Sequence, residues 1–240
     1  MKIISWNCQG AFRKKAQFIL DKNPDVIIIQ ECEHLEKLET EKILGLPENR
    51  LWIGDNKHKG LGIFAKENIL LRVDENYRSD IKYIVPIELT SIGDESESLI
   101  VAIWANNKED KDGQYVEQVW KAINHYEKLL NIERVILIGD FNSNTIWDRP
   151  KRNGNHSDVV QKLASQKIES VYHKKYEQVQ GKEQHPTFLL QKNKNKPYHI
   201  DYCFASEYLI ERIKSFQIGQ FEEWITYSDH VPIEVEFENY

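Results

Sequence analysis

Ile136-Leu137-Ile138-Gly139-Asp140-Phe141-Asn142 is the stretch on which the reading of this chain turns. A run of apolar residues ends in a glycine, and an acid and an amide follow two positions apart. The run predicts a buried strand. Glycine at its end permits a sharp turn or a close approach to a ligand. If the extended form continues, Asp140 and Asn142 point the same way, because side chains alternate with period two. An acid and an amide side by side at a strand mouth can hold and orient a water molecule. A plain Asp/Asn turn after a strand uses the same residues, so the stretch must be weighed with others.

Four further segments carry polar groups at strand ends. Ile3-Ile4-Ser5-Trp6-Asn7 ends in Asn. Val26-Ile27-Ile28-Ile29-Gln30-Glu31 ends in Glu. His199-Ile200-Asp201-Tyr202 holds an Asp inside a short aromatic and apolar run. Ser228-Asp229-His230-Val231-Pro232-Ile233 sets an Asp-His pair just before the last strand. In this order they resemble the endonuclease/exonuclease/phosphatase superfamily, which includes exonuclease III-type abasic-site endonucleases and pancreatic deoxyribonuclease. Lys59-Gly60-Leu61-Gly62-Ile63-Phe64-Ala65-Lys66 is similar to that family's glycine-led strand. The resemblance runs from about Ile3 to Ile233.

The 240 residues are 40% hydrophobic and 29% charged, as suits a soluble globular protein with a large core. With no Pro/Gly/Ser-rich linker between the motifs, residues 1–240 read as a single domain, with a monomer favoured and no protein partner evident. No apolar segment approaches the roughly 20 residues that span a bilayer, and no secretory signal pattern opens the chain. The expectation is no membrane association. Cys8, Cys32 and Cys203 fit no zinc spacing and read as small buried residues in a reducing cytoplasm. The net charge of −6 argues against a surface that attracts nucleic acid everywhere. A local basic groove is all a nuclease needs. Arg13-Lys14-Lys15, Lys192 to Lys196 and Arg149 to Arg152 are the basic runs. Most such runs are solvated faces; the last is preferred because it follows the Asp140/Asn142 loop.

Apolar spacing predicts helices over Phe12 to Leu20, around Leu35 and Leu38, and over Tyr115 to Leu130. Another runs from a Ser157 cap to about Gln166. Strands are expected within Leu51 to Val73, over Lys82 to Leu89 and over Leu99 to Ala105, the last two separated by a turn at Gly93-Asp94-Glu95. Later strands are read at Thr187 to Leu190, Tyr198 to Phe204, Ile213 to Ile218 and Pro232 to Phe237, with Lys192 to Lys196 as a hairpin loop. This pattern indicates a layered α/β protein. The resemblance implies a four-layered sandwich, two packed and mostly antiparallel sheets flanked by helices, with the site at one edge.

Hydrolysing a phosphate ester requires charge neutralisation on the phosphoryl oxygens, an in-line water and a stabilised leaving oxygen. The first and third suit a hard divalent cation. The resemblance implies Mg²⁺, with Mn²⁺ as the alternative, held by Glu31 with Asp229 and Asn7. It implies that Asp140 orients and deprotonates the water, that Asn142 holds phosphate or water, and that His230 donates to a phosphoryl oxygen. Asp201 would fix the tautomer of His230 and favour its protonated form. Asn7 would also touch a phosphate oxygen.

The chain departs from the family after Leu99 to Ala105, where many members carry a phosphate-binding His or a nearby Tyr. Here Asn106 or Asn107 stands instead. Arg149, Arg152 and Trp147 are the further substrate-binding candidates. His34, His58, His125 and His173 read as surface residues, His199 as structural, and His156 and His185 as bordering the cleft. Trp6 and Trp104 read as core, and Trp147 and Trp224 as either rim residues that stack on a base or sugar or core residues. The substrate expected is DNA or RNA. Alternatives are an abasic-site repair endonuclease, a small-molecule or lipid phosphodiesterase or phosphatase, and a non-catalytic binding module. Pro186-Thr187-Phe188 and Tyr198-His199-Ile200-Asp201 resemble abasic-pocket segments. However, Gln30-Glu31-Cys32-Glu33 departs from the Gln-Glu-Thr-Lys of those enzymes.

Overall fold

The computed structural model describes residues 1–93, 96–111 and 113–238; the turn expected at Gly93-Asp94-Glu95 lies partly outside them. The first strands in chain order are β1 (Lys2–Asn7), β2 (Val26–Cys32), β3 (Asn49–Asn56), β4 (Lys59–Ala65), β5 (Ile69–Val73), β6 (Ile84–Ser91) and β7 (Glu97–Trp104). Then come β8 (Val135–Asp140), β9 (Ile168–Ser170), β10 (Phe188–Leu189), β11 (Pro197–Tyr198), β12 (Asp201–Ser206), β13 (Ile213–Ile218) and β14 (Ile233–Phe237). Two sheets of six strands form, ordered β13-β14-β1-β2-β4-β3 and β5-β6-β7-β8-β12-β9. Each contains one parallel pair, β1 with β2 and β7 with β8. β10 and β11 make a separate hairpin around the 190–196 loop.

The apolar runs lack alternation because both faces of the central strands are covered. Ile3, Val26 and Ile28 of the first sheet meet Ile100, Ala102, Ile136 and Ile138 of the second in the inner core. The odd-even partners turn outward. Ile4, Trp6, Ile27 and Ile29 pack on α1 (Ala16–Leu20), α2 (Leu35–Leu38) and α7 (Phe221–Trp224). Val135, Leu137 and Val101 pack on α3 (Val116–His125) and α4 (His156–Ser165). The order helix, sheet, sheet, helix is the expected four-layered sandwich.

Several boundaries differ from the sequence reading. The Phe12 to Leu20 segment is a 3-10 turn, Phe12–Lys14, followed by α1. α3 stops at His125, five residues short of Leu130. The cap of α4 is Asn155, whose N–H donates to Asp158 at 2.8 Å, and Ser157 lies inside the first turn. Tyr198 to Phe204 is two strands, since Tyr198 belongs to the hairpin and Asp201 opens β12. β9, α5 (Val171–Tyr176) and α6 (Glu207–Ile210) are too short to leave a periodic signal.

Gly139 and Gln30 bring the sheets close at the edge where the site lies. The Gln30 amide, fully buried, donates to Ser5 Oγ at 2.9 Å in its own sheet and to the Ile103 carbonyl at 3.2 Å in the other. Gly139 has φ +146°, and a Cβ there would run into the Ile103 carbonyl oxygen. Gly139→Ala is therefore expected to cost at least ~3 kcal/mol, a fall in Tm of about 6–12 °C, measurable by calorimetry.

Candidate active site

β8 ends at Asp140 and β12 begins at Asp201, and the two residues are register partners on neighbouring strands. Asp140 is fully inaccessible and Asp201 is 3% exposed. Two carboxylates this close and this dry cannot both be charged without partners. The other sheet supplies them. Asn7, at the end of β1, donates through Nδ2 to Asp140 Oδ2 at 3.0 Å. His230, just before β14, lies with Nδ1 2.9 Å from Asp201 Oδ2. Asn142 donates to Asp140 from its backbone N–H at 2.9 Å and from Nδ2 at 3.2 Å.

The Asn142 geometry differs from the sequence expectation. The strand does not continue past Asp140, and Asn142 adopts a left-handed φ of 48°. The two side chains meet through a turn and not through strand alternation. The Asn142 amide also reaches the Ala105 carbonyl at 3.1 Å, joining the ends of β7 and β8.

Burial, and then the charge of Asp201, push the Asp140 carboxyl up to about 7. That is where a general base works best near neutral pH. For His230 burial opposes the charged form, but Asp201, through its charge and hydrogen bond, outweighs it and raises the imidazole to about 9. The cluster holds an imidazolium able to donate from Nε2 and a carboxyl poised to exchange a proton. Asp140, Asp201 and His230 offer ligand atoms within 4.8 Å of one another and so could hold a metal.

Small residues fix these groups. Ser228 Oγ donates to the Asn7 carbonyl at 2.7 Å and accepts the His230 N–H at 3.0 Å. Thr187 Oγ1 accepts the N–H groups of Ile200 and Asp201, each at 3.0 Å. The Thr187 carbonyl accepts the Val231 N–H. Sequence reasoning passed over Ser228; its signal was a hydroxyl two residues before His230, the spacing of a Ser turn.

Of the proposed cation ligands, Asn7 belongs to this cluster; the other two are Glu31 and Asp229. Glu31 sits at a bulge of β2 with φ 58°, its carboxylate paired with the ammonium of Lys59. Asp229 is half-buried at the rim, and its carbonyl accepts the Leu189 N–H. The donor set of two carboxylates and an amide oxygen is hard and suits a divalent cation. Glu31 is balanced here by the Lys59 ammonium, which a cation bound at that carboxylate would have to displace.

Asn106 is half-buried with its amide oxygen enclosed and unpartnered. Arg149 is exposed. Arg152 instead pairs with Glu117 at 3.2 Å and donates to Asn155 and the Trp147 carbonyl. Trp147 is 41% exposed and packs against Tyr198, ring centroids 4.9 Å apart. Trp224 is not a rim residue; it is buried edge-on against Trp6, centroids 5.0 Å apart. His173 is not at the surface either, since its ring binds Glu183 at 3.0 Å with little exposure. His156 is enclosed in α4 and bonded to Ser143, and burial lowers its pKa to about 4.

In the metal-free protein the His230 ring should be charged at neutral pH and titrate near 9, read by NMR. Asp201→Asn removes the outweighing charge, so the titration should drop below the usual value of a histidine. Because the folded pKa lies above the unfolded one, the pair's stabilisation is complete below about pH 6.5 and fades as pH rises through 9. The stability gap between the wild type and Asp201→Asn should narrow over that window.

Comparison with known proteins agrees with the fold. No curated protein matches the sequence. Among solved structures, a Neisseria 3′ phosphatase (NExo) bound to a product DNA hairpin superposes with a TM-score of 0.64 at 18% identity, over 99% of each chain. The AP endonuclease LMAP of Leishmania major gives 0.69 at 15%, over 98% of this chain and 86% of that one. The APE2 catalytic domain of Xenopus laevis gives 0.65 at 15%, over 99% and 92%. At these identities the likeness shows the fold. The sequence profile that matches residues 4–230 is that of the Endonuclease/Exonuclease/phosphatase family, and the chain belongs to that family of phosphoester-cleaving enzymes.

Proposed function

We propose that this protein is a divalent-metal-dependent nuclease that hydrolyses phosphodiester bonds of DNA or RNA by in-line attack of water. The observation that carries the nucleic-acid reading is a row of rings leading from solvent to the reacting centre. Trp147 packs on Tyr198, Tyr198 lies parallel to Phe188 at 6.4 Å, and Phe188 packs on His230 at 4.6 Å. Bases and sugars stack on such platforms whatever their sequence. The exposed Arg149 and Lys151 lie on the loop beside Trp147 and can follow a phosphate backbone. Among the described residues no helix is long and apolar enough to cross a membrane. The similarity to a DNA-bound 3′ phosphatase and to an AP endonuclease favours the same reading.

In the mechanism, Asp140 accepts the proton of the attacking water, which Asn142 and Asn7 hold in place. His230 donates from Nε2 to a phosphoryl oxygen, and Asp201 keeps its ring charged and aimed. Asn106 takes the phosphate-binding place that His or Tyr fills in relatives. Glu31, Asp229 and Asn7 hold the cation, with Mg²⁺ as the ion proposed and Mn²⁺ as its alternative. When bound, the cation neutralises phosphoryl charge and stabilises the leaving oxygen. Residues 1–240 act as one domain, a reading the pairing of β1 with β14 supports, and as a monomer. Three buried free thiols fit a reducing cytoplasm.

Glu31→Gln should weaken Mg²⁺ binding and lower kcat by ~100-fold or more with the fold retained, since the side chain faces the rim. Unchanged turnover at low Mg²⁺ would refute the assignment.

Trp147→Ala and Arg149→Glu should raise KM for polynucleotide by about tenfold, one stacked base being worth roughly 1–3 kcal/mol. Their effect on a small phosphodiester should be slight. Rising salt should weaken polynucleotide binding alone. Equal effects on both substrates, or no cleavage of single-stranded, double-stranded or abasic DNA or of RNA, would point to a small-molecule phosphoesterase.

A further inference from the structure

Lys15 closes a run of three basic residues that sequence alone reads as a solvated face. The structure separates them. Arg13 pairs with Glu33, Lys14 is exposed, and Lys15 turns inward. Its ammonium donates to the carbonyls of Cys8 at 2.6 Å, Gly10 at 2.9 Å and Tyr227 at 2.6 Å. An ammonium has three donors, and all three are used. The group also lies 5.9 Å from the centroid of the Trp6 ring, whose N–H donates to the His230 carbonyl.

The three carbonyls belong to the two loops that present the site. Cys8 and Gly10 follow Asn7, in a stretch where Gln9, Gly10 and Ala11 have φ of 54°, 74° and 51°. Three successive left-handed residues need an outside hold to persist. Within that stretch the Gln9 N–H donates to Asn7 Oδ1 at 3.1 Å, which fixes the face of the amide that meets Asp140. Tyr227 immediately precedes Ser228, the residue that holds both the Asn7 carbonyl and the His230 N–H. One ammonium thus spans 212 positions of chain and clamps both loops.

We propose that Lys15 is a positioning residue for phosphoester hydrolysis, setting the Asn7 amide against Asp140 and the His230 ring against the phosphate by holding their two loops at a fixed separation. The inference rests on the reading of Asn7 and His230 as active-site groups. A compact ammonium suits three convergent carbonyls, and the planar fork of arginine does not.

Lys15→Met keeps the stem and removes the donors. Lys15→Gln keeps two neutral donors and serves if the first variant does not fold. Each would be studied well below its own Tm. The first readout is NMR of the Asn7 side-chain amide and the His230 ring, which needs no substrate. Both signals should shift and the amide protons should exchange faster, while the inner-core amides keep their protection. The second is hydrolysis of a single-stranded DNA oligonucleotide with Mg²⁺. There kcat should fall about 10- to 100-fold, as for a small displacement of reacting groups, with KM changed less than about threefold. Lys15→Arg should not restore kcat. In Lys15→Ala added methylammonium should restore part of kcat, and in Lys15→Met it should not. Wild-type Asn7 and His230 signals in both neutral variants would overturn the proposal. If His230→Ala keeps full turnover, the reading of the site fails instead, and the NMR result still decides whether Lys15 holds the loops.

Discussion

The site exists because two sheets meet in one register at one edge. Asn7 and His230 come from the first sheet, Asp140 and Asp201 from the second. Two side-chain hydrogen bonds of the cluster, Asn7 to Asp140 and His230 to Asp201, cross from sheet to sheet. A slip of one residue in β1 or β8 would turn these groups into the packing layers. The apolar faces resist that slip, since Ile3 and Ile138 line the inner core while Ile4 and Leu137 line the outer ones. Gln30 and Gly139 set the spacing where the sheets must approach most closely. Catalytic geometry and core packing are therefore one constraint.

Charge follows from that geometry. Two carboxylates in register would repel across a distance too short for water to screen. A single imidazolium settles on Asp201, which leaves Asp140 with amide partners and burial, and hence with a raised pKa. On the proposed function this asymmetry fits the roles: the carboxylate paired with a cation would be the orienting one, and the carboxylate without a cation the proton acceptor. Glu31 lies apart from the pair, at the rim, where Lys59 balances it. The acid-rich edge needs further positive charge only when a phosphate arrives, and that is the occasion on which a divalent cation is useful.

Much of this was legible in the sequence because it was written in periodicity and strand ends. Most strands and the polar residues at their ends, Asp140 among them, could be read from apolar runs; the two packed sheets and the Asp201–His230 partnership were implied by the resemblance to the family. What failed was of another kind. The Asn155 cap, the short β9 and the left-handed Asn142 depend on single backbone angles that leave no pattern in the chain. Trp224 and His173 lie in polar stretches yet are enclosed by residues far away in sequence. Lys15 and Arg152 look like members of basic runs and differ from their neighbours only in what the fold brings to them. Local composition reports the average fate of a charge run, and long-range contacts decide each member.

Arg149 and Arg152 show where specificity resides. Arg152 is bonded to Asn155, to Glu117 of α3 and to the Trp147 carbonyl, so its charge is already balanced and its side chain shapes the loop. Arg149, two positions after that tryptophan, is exposed and forms no ion pair among the described residues. A polyanion drawn to this loop meets the unpaired cation first and the exposed ring next. From the ring, Tyr198 and Phe188 lead inward to His230. A small phosphoester needs only the last ring of that row. The outer rings have no packing role that demands an exposed indole, and burial would favour hiding it. On the proposed function, an exposed ring at the head of that row suits a polymer with repeating bases and charges.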